Sequence, residues 1–302
     1  MTGEGTLPTA AHAEPVVGGN LGMGTEYLQI RDLTVDFDGF KAVNGVDLTL
    51  FQGDLRFLIG PNGAGKTTVI DAVTGLVKGS GSISKSGVEL LGKKVHQIAR
   101  AGVGRTFQTA SVFEQLTVLQ NLDIAAGSGR SVWTMLRRRH GVLPVIEEAL
   151  ETIGLTALAD SPAGILAHGQ KQWLEIGMLL VQNADVLLLD EPVAGMSAEE
   201  REETGNLLRR IGSERTVVVV EHDMDFMRAF ATSVTVLARG QVIAEGSVAE
   251  VQANPKVQEV YLGTAAAGAE DAIGPVDTPA TPSSEDSPSE ESDGPSLTKG
   301  DG

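Results

Sequence analysis

A glycine-rich stretch, GPNGAGKTT, lies between an apolar run and a segment with helical periodicity. It fits the pattern G-x-x-x-x-G-K-[ST], in which backbone amides wrap closely around phosphate oxygens. The positive end of the helix that follows points at the same oxygens. Lys66 adds a point charge near the β- and γ-phosphates, and the Thr67 hydroxyl is a ligand for Mg²⁺. The stretch therefore predicts a nucleotide site made of Gly60, Pro61, Asn62, Gly63, Ala64, Gly65, Lys66, Thr67 and Thr68.

Two adjacent carboxylates, Asp190 and Glu191, come at the end of the apolar run VLLL. Asp190 is placed to hold Mg²⁺ through the water shell of the ion. Glu191 is placed to orient or deprotonate an attacking water, and such general-base assistance is typically worth about 10²–10⁴ in rate. The apolar run before the pair and Pro192 after it argue against an acidic pair that merely meets solvent. Together with Lys66, the pair predicts hydrolysis of a nucleoside triphosphate.

The elements that must position these residues follow from the hydrophobic pattern. Three apolar runs, at 55–60, 186–190 and 216–221, suit strands covered on both faces, as in a parallel sheet. The alternation at 28–37 predicts another strand, and residues 234–245 predict a hairpin. Helical patterns separate the strands: Lys66–Val77, Val145–Ile153, Gly169–Val181 and Ser197–Ile211. This alternation predicts an α/β fold, with a helical subdomain inserted at about 92–161.

Composition limits the alternatives. The chain has 302 residues and a net charge of −17, so the electrostatic footprint of a nucleic-acid-binding protein is absent. It has no cysteine, which excludes disulfides and thiolate metal sites. No apolar run approaches the roughly 18–20 residues of a membrane span, and the amino terminus does not resemble a signal peptide. We therefore expect a soluble, cytosolic protein.

Three regions differ in composition. Residues 1–26 are rich in Gly, Pro and Ala and predict a flexible arm. Residues 27–263 are ample for a substantial core. Residues 264–302 are rich in Pro, Ser, Gly, Asp and Glu and carry about half of the negative excess, so we predict a disordered acidic tail.

A second motif, LAHGQ, precedes Asp190 by about twenty residues and resembles the signature motif of ABC-type ATPases. The resemblance covers nearly all of 27–263. It implies a P-loop NTPase (RecA-like) ABC ATPase core with an antiparallel β subdomain and an inserted helical subdomain. The motif consists of Leu166, Ala167, His168, Gly169 and Gln170.

The resemblance assigns roles to further residues. Gln108, in GRTFQ, matches the glutamine that senses Mg²⁺ and the membrane partner. His222, in VVVVEHD, matches the switch histidine that contacts the γ-phosphate. Phe37 falls where the family places an aromatic ring against adenine. The resemblance thus implies ATP and Mg²⁺ as the nucleotide and the metal.

In the family, the signature motif acts on ATP held by the opposite subunit, so that two cassettes enclose two ATP molecules. Gly169 opens a helix, and its amide can meet that anion. The chain departs from the family pattern at Ala167, which replaces a serine, at His168, which replaces a glycine, and at Ser197, which replaces an aspartate. Losing a hydroxyl that bonds a charged group costs about 1.5–3 kcal/mol, and the site affected would be that of the partner.

Within the family, the stretches at 104–122 and 253–263 resemble importers of branched-chain amino acids and urea. The stretch HGQKQWLEIGM, which includes Trp173, is similar in sequence to the corresponding stretch of the first ATP-binding subunit of urea importers. That resemblance implies two membrane permeases, a second, non-identical ATP-binding subunit, a substrate-binding protein, and a peripheral location on the cytoplasmic face of the membrane. The alternative cargo is branched-chain amino acids, and an exporter ATPase is a weaker alternative. A translation factor of the family would carry two cassettes in one chain, and a chromosome-organising or repair ATPase would interrupt its cassette with a long coiled coil or zinc-binding cysteines. A P-loop kinase or GTPase would lack LAHGQ and His222.

Overall fold

The structure is a computed structural model, and it describes residues 26–106, 111–127 and 142–261. Four predictions lie wholly or largely outside these ranges: the arm at 1–26, the role of Gln108, part of the helical subdomain, and the acidic tail at 264–302. The limits of the cassette at 27–263 stay a prediction. Among the described residues, no helix is both long and apolar enough to cross a membrane.

One sheet is antiparallel and has the strand order β2-β1-β4-β5. Its long hairpin pairs β1 with β2 and places Phe37 opposite Phe40 at the tip. β4 pairs with the other edge of β1. The strands are β1 (Glu26–Phe37), β2 (Phe40–Phe51), β4 (Ser80–Lys85) and β5 (Val88–Glu89).

The other sheet has the order β10-β9-β3-β8-β7-β6 and is parallel from β9 to β6. β9 and β10 form the predicted antiparallel hairpin, with Arg239 and Gly240 at φ 50° and 76° in its turn. Since φ is positive at both turn residues, the turn has the twist that two-residue hairpins favour. The strands are β3 (Leu55–Ile59), β6 (Val103–Arg105), β7 (Val186–Asp190), β8 (Thr216–Val220), β9 (Ser233–Ala238) and β10 (Gln241–Gly246).

The helices flank this sheet and connect its strands. Helices α3, α4 and α5 contact one another and form the helical part of the structure. The helices are α1 (Lys66–Val73), α2 (Val95–Arg100), α3 (Val118–Gly127), α4 (Pro144–Thr152), α5 (His168–Val181), α6 (Ala198–Gly212), α7 (Met224–Phe230) and α8 (Val248–Ala253). Residues 255–261 are also helical.

The parallel sheet is buried on both faces. Along β8, Val217 and Val219 join the core cluster that the helices complete, whereas Val218 and Val220 join the cluster shared with α1 and the antiparallel sheet. Strands β3 and β7 alternate in the same way. A strand buried on both faces favours apolar residues on both sides, which explains the apolar runs. The buried Arg56 interrupts the run of β3 and pairs with Asp54 and Glu245. The predicted α/β fold is confirmed.

One expectation needs correction. The segment predicted as helical, about 92–161, contains β6, which pairs with β7 at the edge of the parallel sheet. Only three residues form β6, and of these only Val103 is apolar, so the segment carries no strand pattern of its own. The neighbouring strand stabilises it, and the helical part of the chain therefore begins later than predicted.

Candidate active site

The glycine-rich loop connects β3 to α1 and takes its shape from backbone that only glycine fits. Gly60 has φ 150°, and a Cβ there would lie 2.1 Å from the carbonyl oxygen of Leu237. Gly65 has φ 99°, and its Cβ would lie 2.5 Å from the carbonyl oxygen of Ala42. The loop therefore presents bare backbone at the start of α1, whose first turn has no acidic residue. This is the electrostatic environment that a phosphate requires.

Lys66, the first residue of α1, turns its side chain back over the loop. Its Nζ donates hydrogen bonds to the carbonyl oxygens of Gly60 at 2.8 Å and Pro61 at 3.0 Å. Burial lowers the pKa of Lys66, while the nearby carboxylates of Glu191 and Asp190 act in the opposite direction. The ammonium is thus held between the loop and the two acids that the sequence singled out.

Asp190 ends β7 with its side chain only 1 % exposed. Its Oδ2 lies 3.1 Å from Nη2 of Arg105, which also pairs with Asp71 on α1. Burial raises the pKa of Asp190, and the Arg105 guanidinium opposes that rise. Sequence reasoning missed Arg105, since no motif marks an arginine on a three-residue strand.

The second carboxylate oxygen of Asp190 is a candidate contact for the expected Mg²⁺. Oδ1 is buried and has no hydrogen-bond partner in the described structure. Thr67, on the first turn of α1, is exposed. A carboxylate oxygen and a hydroxyl are donors that Mg²⁺ accepts, and this ion keeps several waters and phosphate oxygens in its shell. Among the described residues, no three His, Cys, Asp or Glu side chains gather around one point, so a bound ion would need those additional ligands. The residues present fit Mg²⁺.

Glu191 and His222 face each other at the ends of β7 and β8. Oε1 of Glu191 lies 3.6 Å from Nδ1 of His222. Both side chains reach solvent, with 34 % and 65 % of their surfaces exposed. Glu191 adopts φ 51°, a left-handed conformation that a residue with a side chain rarely takes. Such strain persists only where the surrounding structure enforces it, and it gathers at functional sites.

Glu191 and His222 line one open cavity of about 510 Å³, together with the first residues of the glycine-rich loop; Lys66, Thr67 and Asp190 are not among its lining residues. That volume falls within the range of small-molecule sites, about 300–1,000 Å³. The lining residues are Gly60, Pro61, Asn62, Glu191, His222 and Tyr261. The cavity therefore joins the glycine-rich loop to both acid–base candidates at the carboxyl ends of parallel strands, where open α/β sheets bind ligands.

Tyr261 is a lining residue to which sequence reasoning gave no role. Its hydroxyl accepts a hydrogen bond from the Gly60 amide, although burial raises its pKa. Its ring packs against the core cluster on the helical face of the sheet. The similarity of the stretch at 253–263 to importer cassettes was the available signal, but contact with a loop two hundred residues earlier was not visible in it.

The LAHGQ motif lies apart from this cavity, at the start of α5. Its five residues are absent from the lining residues of the cavity. Ala167 and His168 are both exposed, so a ligand or a partner protein can reach them. The Gly169 amide donates to the carboxylate of Glu200, so the amide predicted to meet an anion already has one in the single chain.

Two of the three departures from the family pattern, His168 and Ser197, have structural roles. Nε2 of His168 lies 3.1 Å from the carbonyl oxygen of Ala194 and, facing a carbonyl, acts as the donor. Ser197 caps α6: its Oγ accepts from the Glu200 amide, and Oε2 of Glu200 accepts from the Ser197 amide. These bonds lower the pKa of Glu200, with the bond from the Ser197 amide as the largest cause. His168 thus ties α5 to the loop that leads into α6.

Two further predicted residues lie elsewhere. Phe37 is 48 % exposed at the tip of the β1–β2 hairpin, so its ring is available to a ligand, but it is not among the residues lining the cavity. Trp173 packs between helices, and its Nε1 donates to the Thr204 hydroxyl at 2.8 Å. Trp173 therefore has a packing role between α5 and α6.

Comparison with known proteins gives a family for this arrangement. The model of the ABC transporter family matches residues 43–194, which include the glycine-rich loop, the LAHGQ motif and both carboxylates. The chain belongs to the ABC transporter ATP-binding family. A second model, of the branched-chain amino acid ATP-binding cassette transporter, matches residues 241–267. This ABC subunit is therefore an ATPase that binds ATP.

Curated relatives place the ABC subunit in the branched-chain amino acid group. It is 35 % identical over 256 residues to the high-affinity branched-chain amino acid transport ATP-binding protein BraF of Pseudomonas aeruginosa, covering 80 % of this chain and 100 % of BraF. It is 36 % identical over 255 residues to LivG of Escherichia coli, with the same coverage. These relatives favour the alternative cargo of the sequence analysis and give no support to urea.

A solved structure agrees. The ADP conformation of MJ1267, an ATP-binding cassette of an ABC transporter, matches with a TM-score of 0.69 and 31 % identity, covering 79 % of this chain and 99 % of that one. The cassette fold predicted from the sequence is confirmed.

Proposed function

We propose that this chain hydrolyses ATP at the cavity between the glycine-rich loop and Glu191, and that hydrolysis powers the uptake of branched-chain amino acids. The observation that supports the proposal best is the convergence of the loop, Glu191 and His222 on one cavity, each at the carboxyl end of a strand of the parallel sheet.

The residues of the site divide the work of phosphoryl transfer. The amides of 60–68 and the Lys66 ammonium hold the β- and γ-phosphates, because preorganised donors stabilise charge without reorganisation. Glu191 orients the attacking water and accepts its proton. His222 contacts a γ-phosphate oxygen from the opposite side of the cavity. Phe37 stacks on the adenine, and Gln108 reports on the filled site to the membrane partner.

The expected metal is held by oxygen donors. Thr67 would ligate the ion through its hydroxyl, Asp190 would hold it through water on its oxygen Oδ1, and Gln108 would be a further contact. When bound, Mg²⁺ neutralises charge on the phosphates and fixes their geometry. Arg105 favours the ionised form of Asp190, because it opposes the rise in pKa that burial causes, and it orients the carboxylate.

The signature motif acts on a second cassette. Since the residues at 166–170 do not line the cavity of their own chain, we infer that they meet the nucleotide of a partner. Two cassettes then enclose ATP between them, and hydrolysis loosens the pair. The Gly169 amide must exchange Glu200 for the partner's phosphate as the pair closes.

Cargo and assembly rest on the relatives. Because BraF and LivG are branched-chain amino acid transport proteins, we assign the same cargo class to this subunit. We further propose two permeases, a second and non-identical ATP-binding subunit, a substrate-binding protein, and attachment to the cytoplasmic face of the membrane.

Uptake measurements test this function. A strain lacking the chain should lose uptake of labelled leucine and keep uptake of labelled urea. Wild-type chain should restore leucine uptake, Lys66→Ala should not, and Lys78→Ala, which changes an exposed lysine after α1, should restore it fully. Loss of urea uptake with normal leucine uptake would overturn the cargo assignment.

A further inference from the structure

Glu221 is a carboxylate buried beside the active site. It follows the last residue of β8, and its side chain is 1 % exposed. Its Oε2 accepts hydrogen bonds from the amides of His222 at 3.1 Å and Asp223 at 3.4 Å. Its Oε1 accepts from the Val193 amide at 3.2 Å, on the loop after β7. One side chain therefore joins the loop that carries Glu191 to the loop that carries His222.

The backbone of Glu191 is anchored on both sides by this part of the chain. Before it turns, the Glu191 amide donates to the carbonyl oxygen of Val220 at 2.9 Å. Two residues later, Val193 donates to Glu221. Pro192 between them has a fixed φ and no backbone N–H to donate. The left-handed conformation of Glu191 is thus enclosed between two hydrogen bonds to consecutive residues, Val220 and Glu221.

We infer that Glu221 is a positioning residue that sets the distance between Glu191 and His222. The inference rests on the proposed function, in which Glu191 orients water and His222 contacts the γ-phosphate. Only a carboxylate offers acceptor oxygens in both directions, because a glutamine would turn NH₂ donors towards one set of amide donors. Glu221 touches no reacting atom and acts through the two residues that it aligns.

The electrostatics agree with this role. Burial raises the pKa of Glu221, while the hydrogen bonds from the amides of Val193, Asp223 and His222 oppose the rise. Charge-assisted bonds to backbone amides are about twice as strong as neutral ones. They stabilise the loop geometry most when the carboxylate is ionised.

The test separates alignment from folding and from binding. Glu221→Gln in the full chain should lower kcat for ATP hydrolysis by about 10²-fold, the usual loss for a misplacement near 1 Å. Its Kd for ATP should stay within about twofold of wild type, since Lys66 and the loop amides hold the phosphates. Glu89→Gln is the control: Glu89 also accepts hydrogen bonds from two backbone amides, those of Ile83 and Leu91, but it is exposed and lies on the antiparallel sheet. That variant should keep wild-type kcat.

Combining Glu221→Gln with Glu191→Gln tests whether Glu221 acts through Glu191. In Glu191→Gln, where the proposed base is absent, adding Glu221→Gln should cause no further loss in single-turnover hydrolysis, because residues that act as a unit are not additive. If Glu221→Gln does not fold, Glu221→Asp, whose side chain is one carbon shorter, should bind ATP normally and hydrolyse it slowly.

The outcomes distinguish the inference from the function on which it rests. Wild-type kcat in the variants of Glu221, with Glu191→Gln inactive, would overturn the positioning role alone. Wild-type kcat in Glu191→Gln would overturn the proposed base. If the loss of rate in the double variant equals the product of the losses in the two single variants, the residues act independently. That result would also refute alignment through Glu191.

Discussion

Replacing Arg105 tests how much its buried ion pair with Asp190 stabilises the protein. Arg105 is the cation that neutralises Asp190, and their side chains are 8 % and 1 % exposed. Arg105→Met keeps an unbranched apolar stem of similar length but leaves the Asp190 carboxylate buried without its ion pair. Breaking a buried pair by removing one partner costs about 3–5 kcal/mol, because the remaining charge stays desolvated. We expect the free energy of unfolding to fall by that amount near pH 7.

The loss depends on pH with a definite sign. Burial already raises the pKa of Asp190 in the folded protein, and removal of the guanidinium raises it further. An acid whose folded pKa exceeds its unfolded value binds more protons when folded, so the free energy of unfolding falls as pH rises through the folded pKa. The difference between wild type and Arg105→Met should therefore widen as pH rises and narrow in acid, where Asp190 is protonated in both.

Urea unfolding at several pH values measures both effects. The control is Arg228→Met, which removes an exposed ion pair with Asp225. The side chain of Arg228 is 53 % exposed and that of Asp225 is 91 % exposed. An exposed i,i+3 pair is worth under about 0.5 kcal/mol, so this variant should unfold nearly as wild type does at every pH. If Arg105→Met loses no more than Arg228→Met, or if its loss grows in acid, the reasoning about the buried pair is refuted.

Three further variants test other contacts. Tyr261→Phe keeps the ring but deprives the Gly60 amide of its acceptor. Its free energy of unfolding in urea should fall by about 1–3 kcal/mol, and calorimetry should show weaker ATP binding. Unchanged values would exclude the contact. Gly205→Ala places a Cβ 2.3 Å from the Phe230 ring and should lose about 1–3 kcal/mol despite the better helix propensity of alanine, whereas higher stability would show that the ring moves freely. Lys66→Ala should abolish binding of a fluorescent ATP analogue, and normal binding would remove Lys66 from the site.

Much of the architecture could be predicted because it depends on local patterns. Strands buried on both faces favour continuous apolar runs; β7 and β8 have them, and β3 has one that only the buried Arg56 interrupts. The glycine-rich loop could be placed because it needs a strand before it and a helix after it. By contrast, β6 depends on pairing with β7, and three residues are too few to show a period.

The parts of the site that escaped prediction depend on contacts between distant segments. Tyr261 reaches Gly60 across two hundred residues, and Arg105 reaches Asp190 across eighty-five. Glu221 resembles the polar end of a strand in the sequence, and only the fold shows that it joins two loops. Chemistry carried by a motif is readable from spacing, whereas the residues that align it are found only when the sheet is assembled.

The central claim is that this nucleotide site is completed by a second cassette. Sedimentation of the Glu191→Gln variant with ATP and Mg²⁺ tests it most directly, alone and mixed with the proposed second ATP-binding subunit. We predict a stable two-cassette species that needs ATP, and that Lys66→Ala does not form. A single cassette that hydrolyses ATP at full rate and never associates, in either sample, would contradict the account.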